Sequence, residues 1–332
     1  MKITFFSAKK YDIDSFTKAN LQYNFELEFF ETHLGPHSIE MLQNADAICV
    51  FVNDKLNRQV LEGLSKKNIK YVALRCAGFN NVDLDAAREL GINVCRVPAY
   101  SPEAVAEHAL ALIMTLNRKT HKAYNRVREQ NFSLQGLMGF NLNEKTVGVI
   151  GTGKIGAAFC RIMLGMGCKV LAFDLMVNKE LEAAGVEYLP LIELLQQSHI
   201  ISLHCPLNEQ TTQLINHQTL SLTQPKVMII NTGRGKLIDT KAVIEALKNG
   251  HVGYLGIDVY EQEEKLFFKD LSTEIIQDDT LQRLMSFPNV LVTAHQAFFT
   301  EEALNEIADI TLQNVQALSQ QKPQAVAKAL LA

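Results

Sequence analysis

Short apolar runs rich in β-branched and aromatic residues alternate along the chain with segments of helical period. Several of these runs are almost continuously apolar, as in strands that helices cover on both faces of a sheet. The alternation predicts βα units and mostly parallel sheets. The predicted strands are 2–6, 25–30, 47–52, 71–76 and 92–97 in a first series, and 146–150, 169–173, 200–204, 227–231, 254–258 and 290–293 in a second.

A helical pattern separates the two series. Ser101 suits an N-cap, Pro102 the first helical position and Glu103 the first turn, where negative charge is favourable. Because no further Pro and no Gly occurs before residue 130, we predict one long helix over 102–130 that bridges two domains. Its second half is basic, which is more typical of a solvated helix face than of an anion or partner site. The basic residues are Arg118, Lys119, Lys122, Arg126 and Arg128.

Two strand series in 332 residues agree with two domains of ordinary length. We therefore expect an α/β protein with two Rossmann-like or flavodoxin-like domains, each a doubly wound parallel sheet. A last amphipathic helix is predicted over 300–318, and its own residues do not say which domain it joins.

Composition disfavours several classes of function. The formal net charge of −4 argues against a nucleic-acid binder. No apolar run approaches the roughly 18 residues of a membrane span, and Lys9 and Lys10 interrupt the start of the chain before a signal-peptide core could form. The six cysteines are scattered without a C-x-x-C pair, which favours reduced thiols over disulfides or a zinc site. We expect a cytoplasmic protein that acts on small molecules, without a membrane or a metal.

A glycine-rich segment follows the first strand of the second series and opens a helical pattern. In this context, the first glycine of a G-x-G-x-x-G segment allows a tight turn, the second lets a pyrophosphate approach the backbone, and the third lets helix pack on strand. Asp174 ends the next predicted strand, where a carboxylate accepts from a ribose 2′-hydroxyl and repels a 2′-phosphate. The sequence thus predicts NAD, rather than NADP, as the cofactor. The segment is Gly151, Thr152, Gly153, Lys154, Ile155 and Gly156.

Three further strand ends carry charged or titratable side chains. Arg234 lies between two glycines after strand 227–231, an acidic segment at 258–263 follows the next strand, and His295 follows strand 290–293. Singly, each has an ordinary explanation as an exposed turn, a solvated acidic run or a structural histidine. Together, one cation, one acid and one imidazole at the carboxyl edge of a nucleotide-binding sheet indicate an active site.

With the glycine-rich segment, these motifs resemble the D-isomer-specific 2-hydroxyacid dehydrogenases. Segments 75–83 and 97–100 resemble the D-lactate branch of that family. The resemblance runs from near Met1 to about Leu318 and includes 264–280, which many relatives outside this branch lack. The tail at 323–332 departs from the pattern.

The resemblance implies roles for individual residues. Arg234 binds the substrate carboxylate and polarises its carbonyl, His295 is the general acid and base, and Glu263, rather than Glu261, pairs with His295. A nearby carboxylate favours the imidazolium, which can protonate a developing alkoxide. A guanidinium adds electrostatic stabilisation where negative charge grows.

Further contacts are implied by the same resemblance. Backbone amides of Ala77 and Gly78 bind the substrate carboxylate, and the aromatic rings of Tyr100 and Phe298 line the pocket for the substrate methyl group. Asp258 lies near the nicotinamide. The remaining expected cofactor contacts are His204, Cys205, Pro206, Thr232 and Gly233, together with Arg234 and His295.

The activity implied is the reversible, NADH-dependent reduction of pyruvate to D-lactate. Two alternatives stay open: a bulkier 2-keto acid as the substrate, or a non-catalytic NAD-sensing protein of the corepressor type. The resemblance also implies an NAD-binding domain at 101–298, inserted into a substrate domain of 1–100 and 299–332. The active site is expected in a cleft between the two domains, and the protein is expected to be a homo-oligomer.

Overall fold

The first series of strands forms one parallel sheet in the computed structural model, which describes residues 1–332 except for the side chain of Lys265. The strand order along the sheet is 2-1-3-4-5 in sequence numbering, which is the flavodoxin-like order. The elements are β1 (Lys2–Phe5), α1 (Lys10–Asn20), β2 (Glu26–Phe29), β3 (Ala47–Val50), α2 (Arg58–Lys66), β4 (Tyr71–Leu74), α3 (Leu84–Glu89) and β5 (Asn93–Arg96).

The middle of the chain forms a second parallel sheet, of seven strands. Its elements are α4 (Pro102–Arg118), α5 (Thr120–Arg128), β6 (Thr146–Ile150), α6 (Lys154–Gly165), β7 (Lys169–Phe173), α7 (Lys179–Ala183), β8 (Glu187–Tyr188), α8 (Leu191–Gln197), β9 (Ile200–Leu203), α9 (His217–Ser221), β10 (Val227–Asn231), α10 (Thr240–Lys248), β11 (Val252–Ile257), α11 (Asp279–Met285) and β12 (Val290–Val292). The order β12-β11-β10-β9-β6-β7-β8 is the Rossmann order with one additional edge strand. These two sheets confirm the predicted α/β class.

Strand β10 shows why the strands of the second sheet read as continuous apolar runs. Met228 and Ile230 point into a core that α4 and α6 form on one face, whereas Ile229 points into a core formed with α8, α10 and α11 on the other. All five residues of the strand are buried. Because helices cover both faces, the loops at the carboxyl ends of these strands rest on a rigid support.

The prediction of one long helix over 102–130 is wrong. Helix α4 ends at Arg118 and α5 begins at Thr120, because Lys119 between them takes a left-handed conformation with φ +50°. Such a conformation cannot continue an α-helix. Neither of these helices, nor any other helix in the described part of the chain, is both long and apolar enough to cross a membrane.

The basic residues around α5 bind backbone carbonyls. The Lys119 ammonium donates to two carbonyls of residues 131–140, here called the arm, at 3.0 Å each. The Arg126 guanidinium donates to two more, at 3.2 and 2.9 Å, and Lys122 donates to the carbonyl of Pro288. The interpretation of these residues as a solvated face is therefore incomplete, because Lys119, Lys122 and Arg126 form hydrogen bonds to neighbouring loops.

The end of the chain returns to the first sheet. Helix α12 (Glu301–Ser319) packs against α1 and β4, which confirms the predicted last helix and shows where it docks. After it, the tail pairs antiparallel with β5: Val94 N–H donates to the Ala332 carbonyl at 2.9 Å, and Leu331 N–H donates to the Val94 carbonyl at 2.8 Å. The tail thus covers an edge strand that would otherwise expose unpaired backbone groups. The chain divides into two compact units, Met1–Ser101 with Phe299–Ala332, and Pro102–Phe298.

Candidate active site

The glycine-rich loop connects β6 to α6 at the point where the strand order of the second sheet reverses. Gly151 has φ +92°, and a Cβ there would lie 2.5 Å from the backbone nitrogen of Cys205. A Cβ on Gly156 would lie 1.9 Å from the Gly151 carbonyl oxygen. Gly153, at the N-cap of α6, faces open space. Packing therefore requires glycine at the first and third positions, while the second leaves room for a ligand at the helix N-terminus.

Asp174 lies at the carboxyl end of β7, beside this loop. Its Oδ2 accepts from the Thr152 N–H at 2.5 Å and from the Thr152 hydroxyl at 3.1 Å, and its Oδ1 accepts from the Met176 N–H at 3.2 Å. Burial alone would raise the pKa of Asp174, but the hydrogen bonds from Thr152 and Met176 hold it below its usual value. The carboxylate therefore stays ionised at neutral pH, which disfavours a 2′-phosphate at this place.

Other residues near the loop differ in their fit to a dinucleotide. The Thr232 hydroxyl is buried and has no hydrogen-bond partner among the described residues, so it could donate to a bound group. The His204 imidazole instead packs 4.9 Å from the Phe159 ring and shares a 2.8 Å hydrogen bond with the Ser202 hydroxyl. Burial lowers the pKa of His204 to about 4, so its side chain is neutral and structural. The backbone of His204 approaches the glycine loop at Gly151, and its Cβ lies beside Gly156.

The remaining residues expected near the cofactor lie in the same region of the fold. Lys154 and Ile155 begin α6, and Lys154 is exposed. Cys205 and Pro206 lie in the loop after β9, the strand beside β6. A positively polarised helix end, a carboxylate, an open glycine and an orphaned hydroxyl together fit a dinucleotide such as NAD.

Arg234 extends from the loop after β10 and is exposed. The buried Asn231 braces this loop: its side-chain amide donates to the Arg234 carbonyl at 2.9 Å, and its oxygen accepts from the Gly233 N–H at 3.0 Å. A Cβ on Gly235 would lie 2.1 Å from the carbonyl carbon of Tyr260, so only glycine lets the two loops pass this closely. The guanidinium is thus presented from a fixed backbone, where it could bind a carboxylate through two parallel hydrogen bonds.

His295 and Glu263 form a hydrogen-bonded pair. His295 Nδ1 lies 2.8 Å from Glu263 Oε1, and the other carboxylate oxygen accepts from the Tyr260 N–H at 2.9 Å. Each side chain is about a quarter exposed. The ring of Phe268 lies beside the imidazole, at 5.8 Å. A histidine whose Nδ1 is fixed by a carboxylate can exchange a proton through Nε2, which is the arrangement of a general acid and base.

Asp258 supports the loop that carries His295. It is fully buried and accepts from the N–H groups of Gln296 and Ala297, both at 2.9 Å. Its backbone carbonyl accepts from the His295 N–H at 2.7 Å. Phe298, the next predicted site residue in this loop, is buried. Asp258 therefore acts on the position of the loop, a role that the sequence pattern did not reveal.

The predicted residues Ala77, Gly78 and Tyr100 belong to the unit built on the first sheet. Ala77 and Gly78 lie in the loop that follows β4. The guanidinium of Arg96 donates to the Ala77 carbonyl at 2.7 Å and stacks over the ring of Phe79 at 4.9 Å. The backbone of this loop is therefore braced within its own unit.

His108, within α4, also lies at the site, although none of the sequence motifs marks it. Its Nε2 lies 3.1 Å from the Thr293 hydroxyl, just before the His295 loop. The available signal was helical spacing, which puts His108 on the same face of α4 as the buried Ala104 and Leu112. A polar side chain on such a face needs a partner.

Comparison with known proteins covers nearly the whole chain. Residues 110–297 match the family model described as "D-isomer specific 2-hydroxyacid dehydrogenase, NAD binding domain". The chain is 53% identical to the D-lactate dehydrogenase of Escherichia coli (strain K12) over 315 residues, which cover 95% of this chain and 96% of that protein.

Solved structures give the same result. The pyruvate reductase of Chlamydomonas reinhardtii is similar with a TM-score of 0.94 and 44% identity, covering 97% of both chains. The D-lactate dehydrogenase of Aquifex aeolicus, solved with NAD and lactic acid, is similar with a TM-score of 0.85 and 34% identity, covering 99% of this chain and 98% of that one.

Proposed function

This chain belongs to the D-isomer-specific 2-hydroxyacid dehydrogenase family and carries its NAD-binding domain, and we propose that it catalyses the reversible reduction of pyruvate to D-lactate. The observation that carries the proposal is the 2.8 Å hydrogen bond between His295 and Glu263, within the matched domain. The relatives named D-lactate dehydrogenase and pyruvate reductase support pyruvate as the substrate.

His295 supplies and recovers the proton of the reaction. Reduction adds to pyruvate a hydride at the carbonyl carbon, which NADH supplies when bound, and a proton at the carbonyl oxygen. His295 holds that proton at Nε2, as an imidazolium whose Nδ1–H donates to Glu263. After transfer, the neutral ring keeps its Nδ1–H on Glu263, so Nε2 stays in place to accept the hydroxyl proton of D-lactate in the reverse direction.

Arg234 binds the substrate carboxylate and stabilises negative charge on the carbonyl oxygen. Its exposed guanidinium and braced backbone support this role. Backbone amides of Ala77 and Gly78 add hydrogen bonds to the carboxylate, and the aromatic rings of Tyr100 and Phe298 surround the methyl group. Because Ala77, Gly78 and Tyr100 lie in the unit of Met1–Ser101 and Phe299–Ala332, we propose this unit as the substrate domain.

The test is loss of NADH absorbance when pyruvate is added to the purified protein, followed by chiral analysis of the lactate. We expect oxidation of NADH and formation of the D-isomer alone. Values of kcat/KM for pyruvate, phenylpyruvate and 2-ketoisocaproate then rank the substrates. A higher kcat/KM for either bulky acid would identify that acid, rather than pyruvate, as the preferred substrate. NADH binding without turnover of any 2-keto acid would identify a non-catalytic binding protein.

Replacing Glu263 by glutamine lowers kcat for pyruvate reduction by about 10- to 100-fold, because a neutral amide orients Nδ1 of His295 less firmly than the carboxylate does. The measurement is kcat and KM for pyruvate at saturating NADH. Glu261→Gln is the matched control and leaves kcat within about threefold of the wild type. An unchanged kcat in Glu263→Gln would separate Glu263 from the acid and base.

A homo-oligomer is also proposed, with a second copy of this chain covering the arm. Three apolar side chains of the arm are strongly exposed: Phe132, Leu134 and Met138. The bonds from Lys119 and Arg126 hold the backbone of the arm, from which these exposed side chains extend. Exposed apolar patches of this kind mark protein interfaces.

Leu134→Arg therefore shifts the protein to monomers of 37.1 kDa, because a guanidinium cannot be buried without a partner. Light scattering after size-exclusion chromatography measures the mass. Leu21→Arg is the control, since Leu21 is as exposed as Leu134 (85% and 82%) but lies in the other unit. A wild-type mass of one protomer, or an unchanged oligomer in Leu134→Arg, would contradict the proposed interface.

A cytoplasmic location is proposed as well. The six cysteines are present as thiols, and five of them are buried. Reduced thiols of this kind are usual in the cytoplasm.

A further inference from the structure

His108 lies on α4, far along the chain from the proposed active-site residues, yet its imidazole reaches the loop of His295. Its Nε2 is 3.1 Å from the Thr293 hydroxyl and 3.5 Å from Oδ1 of Asp258. The His108 side chain is only 15% exposed, so it is packed between the helix and the sheet. Among the residues whose side chains the structure describes, His108 is the basic residue that lies within ion-pair distance of the fully buried Asp258.

The direction of these hydrogen bonds follows from counting protons. The Thr293 hydroxyl has one proton, which it donates to Oδ1 of Asp258 at 2.5 Å. Its oxygen can then only accept, so the Nε2 of His108 must carry a proton and donate it. Hydrogen bonds therefore run from His108 to Thr293 and from Thr293 to Asp258.

Asp258 connects the hydrogen bonds of His108 and Thr293 to the loop that carries His295. Besides Thr293, it accepts from the N–H groups of Gln296 and Ala297, the two residues that follow His295. His295 has φ +55°, a left-handed conformation that a residue other than glycine keeps only when its surroundings impose it. Burial alone would raise the pKa of Asp258, but the bonds from His108 and Thr293 and the backbone hold it low, so the carboxylate stays a full acceptor.

We propose that His108 is a positioning residue for the proposed reaction. It orients the Thr293 hydroxyl, and through it the Asp258 carboxylate, so that the left-handed turn aims Nε2 of His295 at the substrate. His108 itself does not contact substrate or cofactor in this arrangement. The inference rests on the proposed function for its kinetic effect, whereas its effect on the loop is a property of the free protein.

The first test compares two substitutions of nearly equal size. His108→Leu removes the N–H donor, and His108→Gln keeps one near the position of Nε2. In His108→Leu, kcat for pyruvate falls by about 10- to 100-fold, since small misplacement of a catalytic group is costly. KM for pyruvate and Kd for NADH stay within about threefold, because Arg234 and the glycine loop are untouched. His108→Gln recovers kcat to within about fivefold of the wild type. An unchanged kcat in His108→Leu, or equal losses in both variants, would overturn the proposal.

A second pair of variants tests the route through Thr293. Thr293→Val removes the hydroxyl and Thr293→Ser keeps it, so the first lowers kcat and the second does not. If His108 acts through this hydroxyl, the double variant His108→Leu/Thr293→Val loses no more than Thr293→Val alone. Losses that multiply in the double variant would show that His108 acts by another route.

A third measurement does not depend on turnover. Hydrogen exchange of the Gln296 and Ala297 amides in the free protein becomes at least about tenfold faster in His108→Leu and stays near the wild type in His108→Gln. If wild-type protein does not reduce pyruvate, the proposed function fails while this difference still supports the positioning role. If wild-type protein is active and exchange is the same in all three proteins, the positioning role fails alone.

Discussion

His295→Asn lowers kcat for pyruvate reduction by about 10²- to 10⁴-fold, the range lost when a general acid is removed. Asparagine suits this position because it tolerates the left-handed backbone that His295 adopts at φ +55°. Its side-chain amide can also take the place of Nδ1 toward Glu263. The substitution therefore removes mainly the Nε2 proton, and the loop and the carboxylate keep their positions.

The loss in His295→Asn is expected in both reaction directions, because the same nitrogen returns the proton. The measurements are kcat for pyruvate with NADH and for D-lactate with NAD, together with Kd for NADH by fluorescence. NADH affinity changes by no more than about threefold, since the glycine loop is separate from this side chain. His217→Asn, at an exposed position, serves as the control. Retention of more than about a tenth of kcat would place the acid elsewhere.

Arg234→Gln lowers kcat/KM for pyruvate by about 10³-fold, through both a higher KM and a lower kcat. The guanidinium is proposed to bind the carboxylate in the ground state and to face the oxygen where charge develops, so one substitution removes both contributions. The Asn231 amide binds the backbone carbonyl of residue 234, and Gly235 lies against the backbone of Tyr260. Neither contact involves the Arg234 side chain, so both remain in the variant.

Lys236→Gln is the matched control for Arg234→Gln. Lys236 is also exposed and lies two residues further along the same loop, so its substitution removes the same charge from a nearby position. We expect kcat/KM to stay within about threefold of the wild type. Kd for NADH is measured for both variants and stays near that of the wild type. A loss of NADH affinity equal to the loss in kcat/KM would reassign Arg234 from the substrate to the cofactor.

Much of the fold follows from local pattern. The continuous apolar strands, with helical segments between them, predicted two parallel sheets, and both are present. Gly151 and Gly156 also follow from pattern, because a tight turn and a close helix accept no other residue. Lys119 does not: nothing near it in sequence stops a helix, and its left-handed backbone accompanies bonds to the arm.

The candidate site also has features that local pattern predicts and features that it does not. Arg234, the acidic segment at 258–263 and His295 could be found because the carboxyl ends of parallel strands meet along one edge, whatever the details of packing. The family relationship, expected from these motifs with the glycine-rich segment, is confirmed, and so is NAD as the cofactor, expected from that segment and Asp174. The residue roles stay predictions for the variants above to test.

For two residues of the site, spacing could not have identified the partners. His108 meets Thr293 and Asp258 only because α4 crosses the sheet beneath these strand ends. The His204 imidazole turns to Ser202 and Phe159, although its backbone lies beside the glycine loop. Thr293 and Asp258 are distant in sequence from His108, and Phe159 is distant from His204.

The sequence by itself therefore determined the order of strands and helices, the nucleotide loop with its acidic partner Asp174, and the family. The first two depend on periodicity and turn chemistry within single βαβ units, which are local, and the family follows from several such local motifs taken together. The tertiary structure alone decided that Lys119 interrupts a helix, that the tail pairs with β5, and that His108 supports the loop of His295. These depend on side-chain and backbone hydrogen bonds between segments that only the packing of helices on sheets brings together.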